Sequence, residues 1–165
     1  MRSELVAIAL GVLGIVGCDA PRGVDARYST PEHTIETLLA SHGLEDATQE
    51  DIRARMSAHQ RFELRDRASF EACFADLQPG PVGEGLAGWT LGAIAAGRDE
   101  LRVEIIGDRA TVAPREGVRI AMARDEGGRW RIVLAESVPI EVRRALGAVA
   151  ERHDRRAREQ GLPTE

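Results

Sequence analysis

Few residue types in this chain can make or break a bond, and their spacing decides which chemistry is open to them. Cys18 stands directly behind an uninterrupted apolar run, residues 5–16, close to the N-terminus. Cys73 instead falls on the stripe Phe70, Cys73, Phe74 and Leu77, where a thiol is expected to be buried and inert. The four histidines, His33, His42, His59 and His153, are dispersed. No His-x-x-x-His and no cysteine pair supports a metal site, and His33 and His42 lie too far apart along one helix axis to share an ion. All 22 basic residues are Arg, which removes Lys as a base or Schiff-base former. The run Gly83-Glu84-Gly85-Leu86-Ala87-Gly88 matches G-x-G-x-x-G. A dinucleotide fingerprint needs a strand before it; here Pro-rich sequence precedes, and Glu84 would stand where a pyrophosphate approaches. The run reads as a loop and the start of a helix. No catalytic, cofactor-binding or metal residue is assigned on this basis.

The apolar run is about 12 residues long, against the roughly 20 that a spanning helix needs, and Arg2 precedes it. Ile15-Val16-Gly17-Cys18 resembles the lipobox of bacterial lipoproteins. The resemblance implies that residues 1–17 are a signal peptide removed before Cys18, and that Cys18 then carries lipid. One acyl chain holds a protein only marginally, while two or three hold it stably. The expected location is the cell membrane, lipid-anchored and facing the periplasm, with inner and outer membrane both open. With Cys18 committed to lipid, Cys73 has no disulfide partner.

The chain has 165 residues, room for one domain with a proper core. An apolar fraction of 43% with 30% charged residues is ordinary for a folded protein. Aromatics make up only 4%, so the core must be built from Leu, Ile, Val and Ala. A net charge of −5 excludes a general affinity for nucleic acid.

Residues 18–30 show no periodicity and read as the lipidated cysteine and a tether. Ser29 or Thr30 can cap a first helix, with Pro31 at its first position, a Ser29–Glu32 capping box, and Ile35, Leu38, Leu39 and His42 on one face. A second helix starts at Thr48 and carries Ile52 and Met56. A third follows the Phe70–Leu77 stripe to Pro79, and a fourth runs from about Leu86 to Ala96. After Gly97 the period changes to two. Leu101, Val103 and Ile105 alternate with Arg102 and Glu104, and turns at Gly107-Asp108, Glu116-Gly117 and Gly127-Gly128 separate four strands. The last strand is expected to carry Trp130, Ile132 and Leu134. Residues 31–136 therefore read as an α+β domain with helices on an antiparallel meander, and 137–165 as a charged C-terminal helix and tail whose apolar side is Val142, Ala145, Leu146 and Val149.

Helices followed by a twisted meander resemble the nuclear-transport-factor-like (cystatin-like cone) superfamily. The likeness rests on Thr30-Pro-Glu-His-Thr-Ile-Glu-Thr-Leu-Leu39, Ile106-Gly-Asp-Arg-Ala-Thr-Val112, Val118-Arg-Ile-Ala-Met122 and Gly127-Gly-Arg-Trp-Arg-Ile-Val133. It implies a curved sheet and helices around a cone, whose pocket lining would be Trp89, Val103, Ile105, Ile120, Met122, Trp130 and Ile132. Isomerases and dehydratases of this fold need an acid or base inside the cone, and the inward strand positions carry none. The only tyrosine, Tyr28, falls in the tether. The reading is a non-catalytic binding or interaction domain of the cell envelope with no cofactor. The alternatives are a binder of an apolar small molecule in the cone and an isomerase- or dehydratase-like enzyme. Expected partners are the membrane, through Cys18, and an envelope protein or apolar small molecule. A homodimer through the outer sheet face is a further expectation, and no nucleic acid is expected.

Overall fold

The computed structural model describes residues 23–58 and 60–160. The signal run and Cys18 lie outside them, as does His59.

The first helix, α1 (Pro31–Ala40), forms where the cap chemistry predicts. Thr30 is the N-cap, its hydroxyl accepting from the His33 amide at 3.2 Å, and Pro31 takes the first helical position. The expected Ser29–Glu32 box does not form, because the Ser29 hydroxyl sits 2.9 Å from His33 Nδ1 instead. Helix α2 (Gln49–Ser57) opens on a reciprocal capping box between Thr48 and Asp51. It buries Ile52, while Met56 stays exposed. The 3-10 turn Ala26–Tyr28 precedes α1, and Tyr28 is only 3% exposed. The segment read as tether is thus part of the folded domain from this turn onward.

The stripe Phe70–Leu77 is only partly helical. Helix α3 (Arg67–Ala72) stops at Cys73, and Phe74 forms a bridge beside Ile132. The Ala75 amide donates to Ile132 O at 2.9 Å and the Ile132 amide to Cys73 O at 2.8 Å. Two main-chain hydrogen bonds to the sheet edge outweigh one more helical turn, since an edge buried without partners is costly. Helix α4 (Pro81–Ala96) begins five residues before the expected Leu86, with Pro81 at its first position. All three glycines of G-x-G-x-x-G therefore lie inside a helix, and no phosphate-cradling loop exists there.

Strands β1 (Arg102–Ile106), β2 (Arg109–Arg115), β3 (Val118–Arg124) and β4 (Trp130–Ile132) form one antiparallel meander in the order 1-2-3-4. Val103 stands opposite Val112, Val112 opposite Ile120, and Met122 opposite Ile132, so one face is apolar across all four strands. The β2–β3 register slips by one residue between Val112 and Arg115. Pro114, which has no N–H to give the ladder, lies in that stretch. Its carbonyl closes on Gly97, where an added Cβ would be 2.0 Å away.

Strand β4 ends earlier than the alternation suggests. Leu134 begins a single turn, α5 (Leu134–Ser137). The Asp76 carboxylate holds that turn by accepting from the amides of Leu134 (2.7 Å) and Ala135 (2.9 Å). The last helix, α6 (Ile140–Glu159), packs along α4, with Leu146 against Gly85. Of its expected apolar side, Leu146 and Val142 are half-buried, while Ala145 and Val149 are exposed. The core joins α1, α3, α4 and the inner sheet face in one cluster. The class is α+β, with six helices and a four-stranded antiparallel sheet among the described residues.

Candidate functional site

The inner face of the sheet is covered unevenly. Helix α1 contacts β4 and α4 contacts β2, whereas β1 makes substantial contact with β2 alone. Between α1 and the uncovered β1–β2 end lies a groove of about 900 Å³, the size range of small-molecule sites. Its apolar lining is Leu101 and Val103, both half-buried, backed by Ile35, Leu39 and Val112, which are 2%, 3% and 0% exposed. Glu32 and Glu36 stand one helical turn apart on the same wall.

Each end of the groove is held by an arginine. At one end Arg98 donates to three carbonyls, Leu44 O at 2.7 Å, Ala47 O at 2.9 Å and Glu45 O at 2.5 Å. This fork ties the loop after α1 to the start of β1, two nitrogens of one planar guanidinium serving all three oxygens. At the other end Arg27 pairs with Asp25 at 2.7 Å and donates to the Ser69 hydroxyl at 2.9 Å. The Thr37 hydroxyl donates to Arg27 O at 3.0 Å, fixing this turn on α1. The hydrogen bonds from Arg27 hold the Asp25 carboxyl below its usual range. Asp66, the N-cap of α3, is held down in the same way by Ser69.

The electrostatics of the groove follow from this bookkeeping of donors. Asp25 offsets the charge of Arg27, whereas Arg98 donates to neutral carbonyls and keeps its charge; against it stand Glu32, Glu36 and Glu45, which make no ion pair among the described residues. Two carboxylates one turn apart repel. The groove therefore combines an apolar floor with a negative rim.

Its hydroxyls are occupied. Ser41 Oγ donates to Leu38 O at 2.7 Å and lies 3.0 Å from His42 Nδ1. With the hydroxyl proton on Leu38 O, the imidazole N–H is left to donate to Oγ, so the pair acts as a helix-end cap rather than a base and nucleophile. Burial lowers the pKa of His42, and its ring meets Phe70 edge-on. Cys73 Sγ donates to Ser69 O at 3.2 Å, is fully buried, and has its pKa pushed up to about 12 by desolvation.

Of the pocket positions expected from the sequence, the structure brings only Val103 to the groove. Ile120, Met122 and Ile132 are fully buried and Trp130 is 4% exposed. These four lie in the core on the inner face of the sheet and do not line the groove. Trp89 is half-buried on α4 against the core, and Ile105 lies 51% exposed at the sheet edge. Ile35, Leu39, Leu101 and Val112 replace them as lining. The alternation marked Leu101 and Val112 as inward, and the 3–4 spacing marked Ile35 and Leu39. Nothing in either period tells an inward residue that meets a helix from one that meets a groove. The outer sheet face carries Arg102, Glu104, Arg119 and Arg131 around the smaller Thr111, Ala113, Ala121 and Ala123.

Among the described residues no group of His, Cys, Asp and Glu is placed to hold a metal ion, and no helix is long and apolar enough to cross a membrane. No protein-family model matches this chain, nor does any curated protein or solved structure.

Proposed function

We propose that this chain is a membrane-anchored lipoprotein of the cell envelope whose folded domain is a non-catalytic binding module. The domain takes an amphipathic molecule into the groove between α1 and the β1–β2 end of the sheet. The observation that carries this reading is the groove itself, about 900 Å³, with half-buried Leu101 and Val103 on its floor under Glu32, Glu36 and Glu45, which make no ion pair among the described residues. An apolar floor favours a hydrocarbon body. The rim favours a cationic or donor-rich head over an anionic one.

The short apolar run ending in Ile15-Val16-Gly17-Cys18 supports lipid attachment and the periplasm-facing location. Nine residues separate Cys18 from Arg27 on the groove rim, a span of at most about 30 Å. Lipid on Cys18 would thus keep the groove within reach of amphiphiles at the membrane surface. Helices packed on one face of a four-stranded meander with an irregular β2–β3 register also support the nuclear-transport-factor-like reading.

The test is binding of two probes of equal chain length and opposite charge, dodecyltrimethylammonium and laurate, below their micellar concentrations. The mature chain with Cys18→Ala should be stabilised against heating by the cation and far less by the carboxylate. Glu32→Gln with Glu36→Gln should weaken the cation about tenfold, the equivalent of ~1.4 kcal/mol. Indifference to head charge would remove the ligand class, and no binding of either probe would sink the groove as a site. The mass of the mature N-terminus checks the anchor: an acylated Cys18 supports it, and an intact Met1 terminus rejects it.

A further inference from the structure

Strand β1 is the open edge of the sheet, and its sequence is complementary to itself. Ile105 is 51% exposed and Ile106 73%, the two most exposed apolar residues of the sheet. Natural edges are usually blunted by a proline, a bulge or a covering element; the pairing of β1 with β2 is regular over all five residues.

The hydrogen-bonding parity of the edge follows from the hairpin. Ile106 and Arg109 flank the two-residue turn Gly107-Asp108, and the pair closing such a turn is hydrogen-bonded. Alternation then makes Glu104–Thr111 and Arg102–Ala113 the other hydrogen-bonded pairs. The main-chain N–H and C=O groups of Val103 and Ile105 consequently point away from β2, toward the open edge.

Three antiparallel registers pair at least three residues of β1 with that parity when it meets a second copy of itself, and the one centred on Ile105 sets Glu104 opposite Ile106 of the second copy twice over. Centred on Glu104, the pairing sets Glu104 opposite Glu104 of the second copy, and Arg102 opposite Ile106. Centred on Val103, it sets Arg102 opposite Glu104 of the second copy twice over, and Leu101 opposite Ile105 twice over. The register centred on Val103 alone joins opposite charges on the outer face and apolar side chains on the inner face, and leaves Ile106 just beyond the paired residues. We propose that this chain self-associates edge to edge through β1, in the register centred on Val103, forming a continuous eight-stranded sheet.

The consequence reaches the groove, because Leu101 and Val103 belong to both its floor and this edge. In the paired form, Ile105 of the second copy lies beside Leu101 and extends the apolar floor. Two grooves then meet across the dimer axis. This pairing uses the sheet edge and leaves the outer face, with its ring of arginines, in solvent.

Disulfide trapping reads the register directly. Directly opposed residues of a non-hydrogen-bonded antiparallel pair have Cα atoms about 4.5 Å apart, inside the range a disulfide spans. Arg102→Cys and Glu104→Cys are prepared separately in the full chain carrying Cys18→Ala; both positions are exposed and Cys73 is buried. Under mild oxidation a mixture of the two should give a covalent dimer, and neither alone should. A dimer from Glu104→Cys by itself, or no dimer in any arm, would overturn the pairing centred on Val103. Sedimentation supplies an independent readout. Arg102→Glu should weaken association about thirtyfold, and Arg102→Glu with Glu104→Arg should restore it. Association unchanged in Arg102→Glu would refute the charge-set pairing. Each arm is read without ligand, so its outcome is distinct from that of the groove.

Discussion

Replacing Gly83 and Gly88 by Ala in turn separates the helical account of the G-x-G-x-x-G run from a phosphate-loop account. A Cβ added to Gly83 would lie 1.8 Å from Gln78 O and 2.8 Å from its carbonyl carbon, both main-chain atoms. Ordinary contact begins near 3.4 Å, so the turn Gln78–Gly80 or the first turn of α4 must move by more than an ångström. Overpacking of that kind costs about 2–3 kcal/mol. At Gly88 an added Cβ meets nothing within 4 Å, and the position is helical and exposed. There alanine removes the entropic cost of a glycine in a helix and stabilises by roughly 0.5–1 kcal/mol. The two variants should therefore differ by about 3 kcal/mol with opposite signs, or around 10 °C in Tm for a domain of this size. Urea unfolding followed by far-UV circular dichroism measures the difference, and an unchanged m-value confirms that the folded state is what altered. Gly83→Ala as stable as wild type, or Gly88→Ala the more damaging of the two, would refute the placement of α4 and its tight entry turn.

Two further outcomes follow from groups outside the groove floor. Asp76→Ala leaves the amides of Leu134 and Ala135 without their carboxylate, and loss of a helix cap of this kind should cost about 1–2 kcal/mol by the same denaturation assay. A stability within 0.3 kcal/mol of wild type, on the order of a neutral surface change, would show that the cap contributes nothing. His42 has its pKa lowered from 6.5 by burial, so the unfolded chain binds a proton more readily than the folded one. Its contribution is present above pH ~6.5 and is lost as the pH falls through the lower folded value. Stability measured between pH 7 and 5 should decline more steeply in wild type than in His42→Asn; equal slopes would remove the imidazole from that decline.

Much of the architecture was legible because it is encoded locally. Thr30-Pro31 and Thr48 with Asp51 mark helix starts through side chains that satisfy free amides a few residues away. The change to a two-residue period after Gly97, with glycines at the turns, specifies four strands in sequence order. Local signals failed where a distant partner intervened. Phe74 left the helical stripe to bridge the β4 edge, and Leu134 left the strand for a turn capped by Asp76. Tyr28 lies in a segment with no periodicity, yet it packs in the core and brings its hydroxyl to 3.5 Å from Ser69 O.

By itself the sequence determined the α+β class, the order of the meander and which side chains face inward. Only the tertiary structure decided which of those inward residues are core and which are floor. That division depends on where α1 and α4 lie across the sheet, and the periodicity of a strand reports its own two faces without reporting what covers them. Ile120, Met122, Trp130 and Ile132, with Val112, are buried and close the interior, while Leu101 and Val103, equally apolar and equally inward, stay half-buried toward the β1 edge where the groove opens.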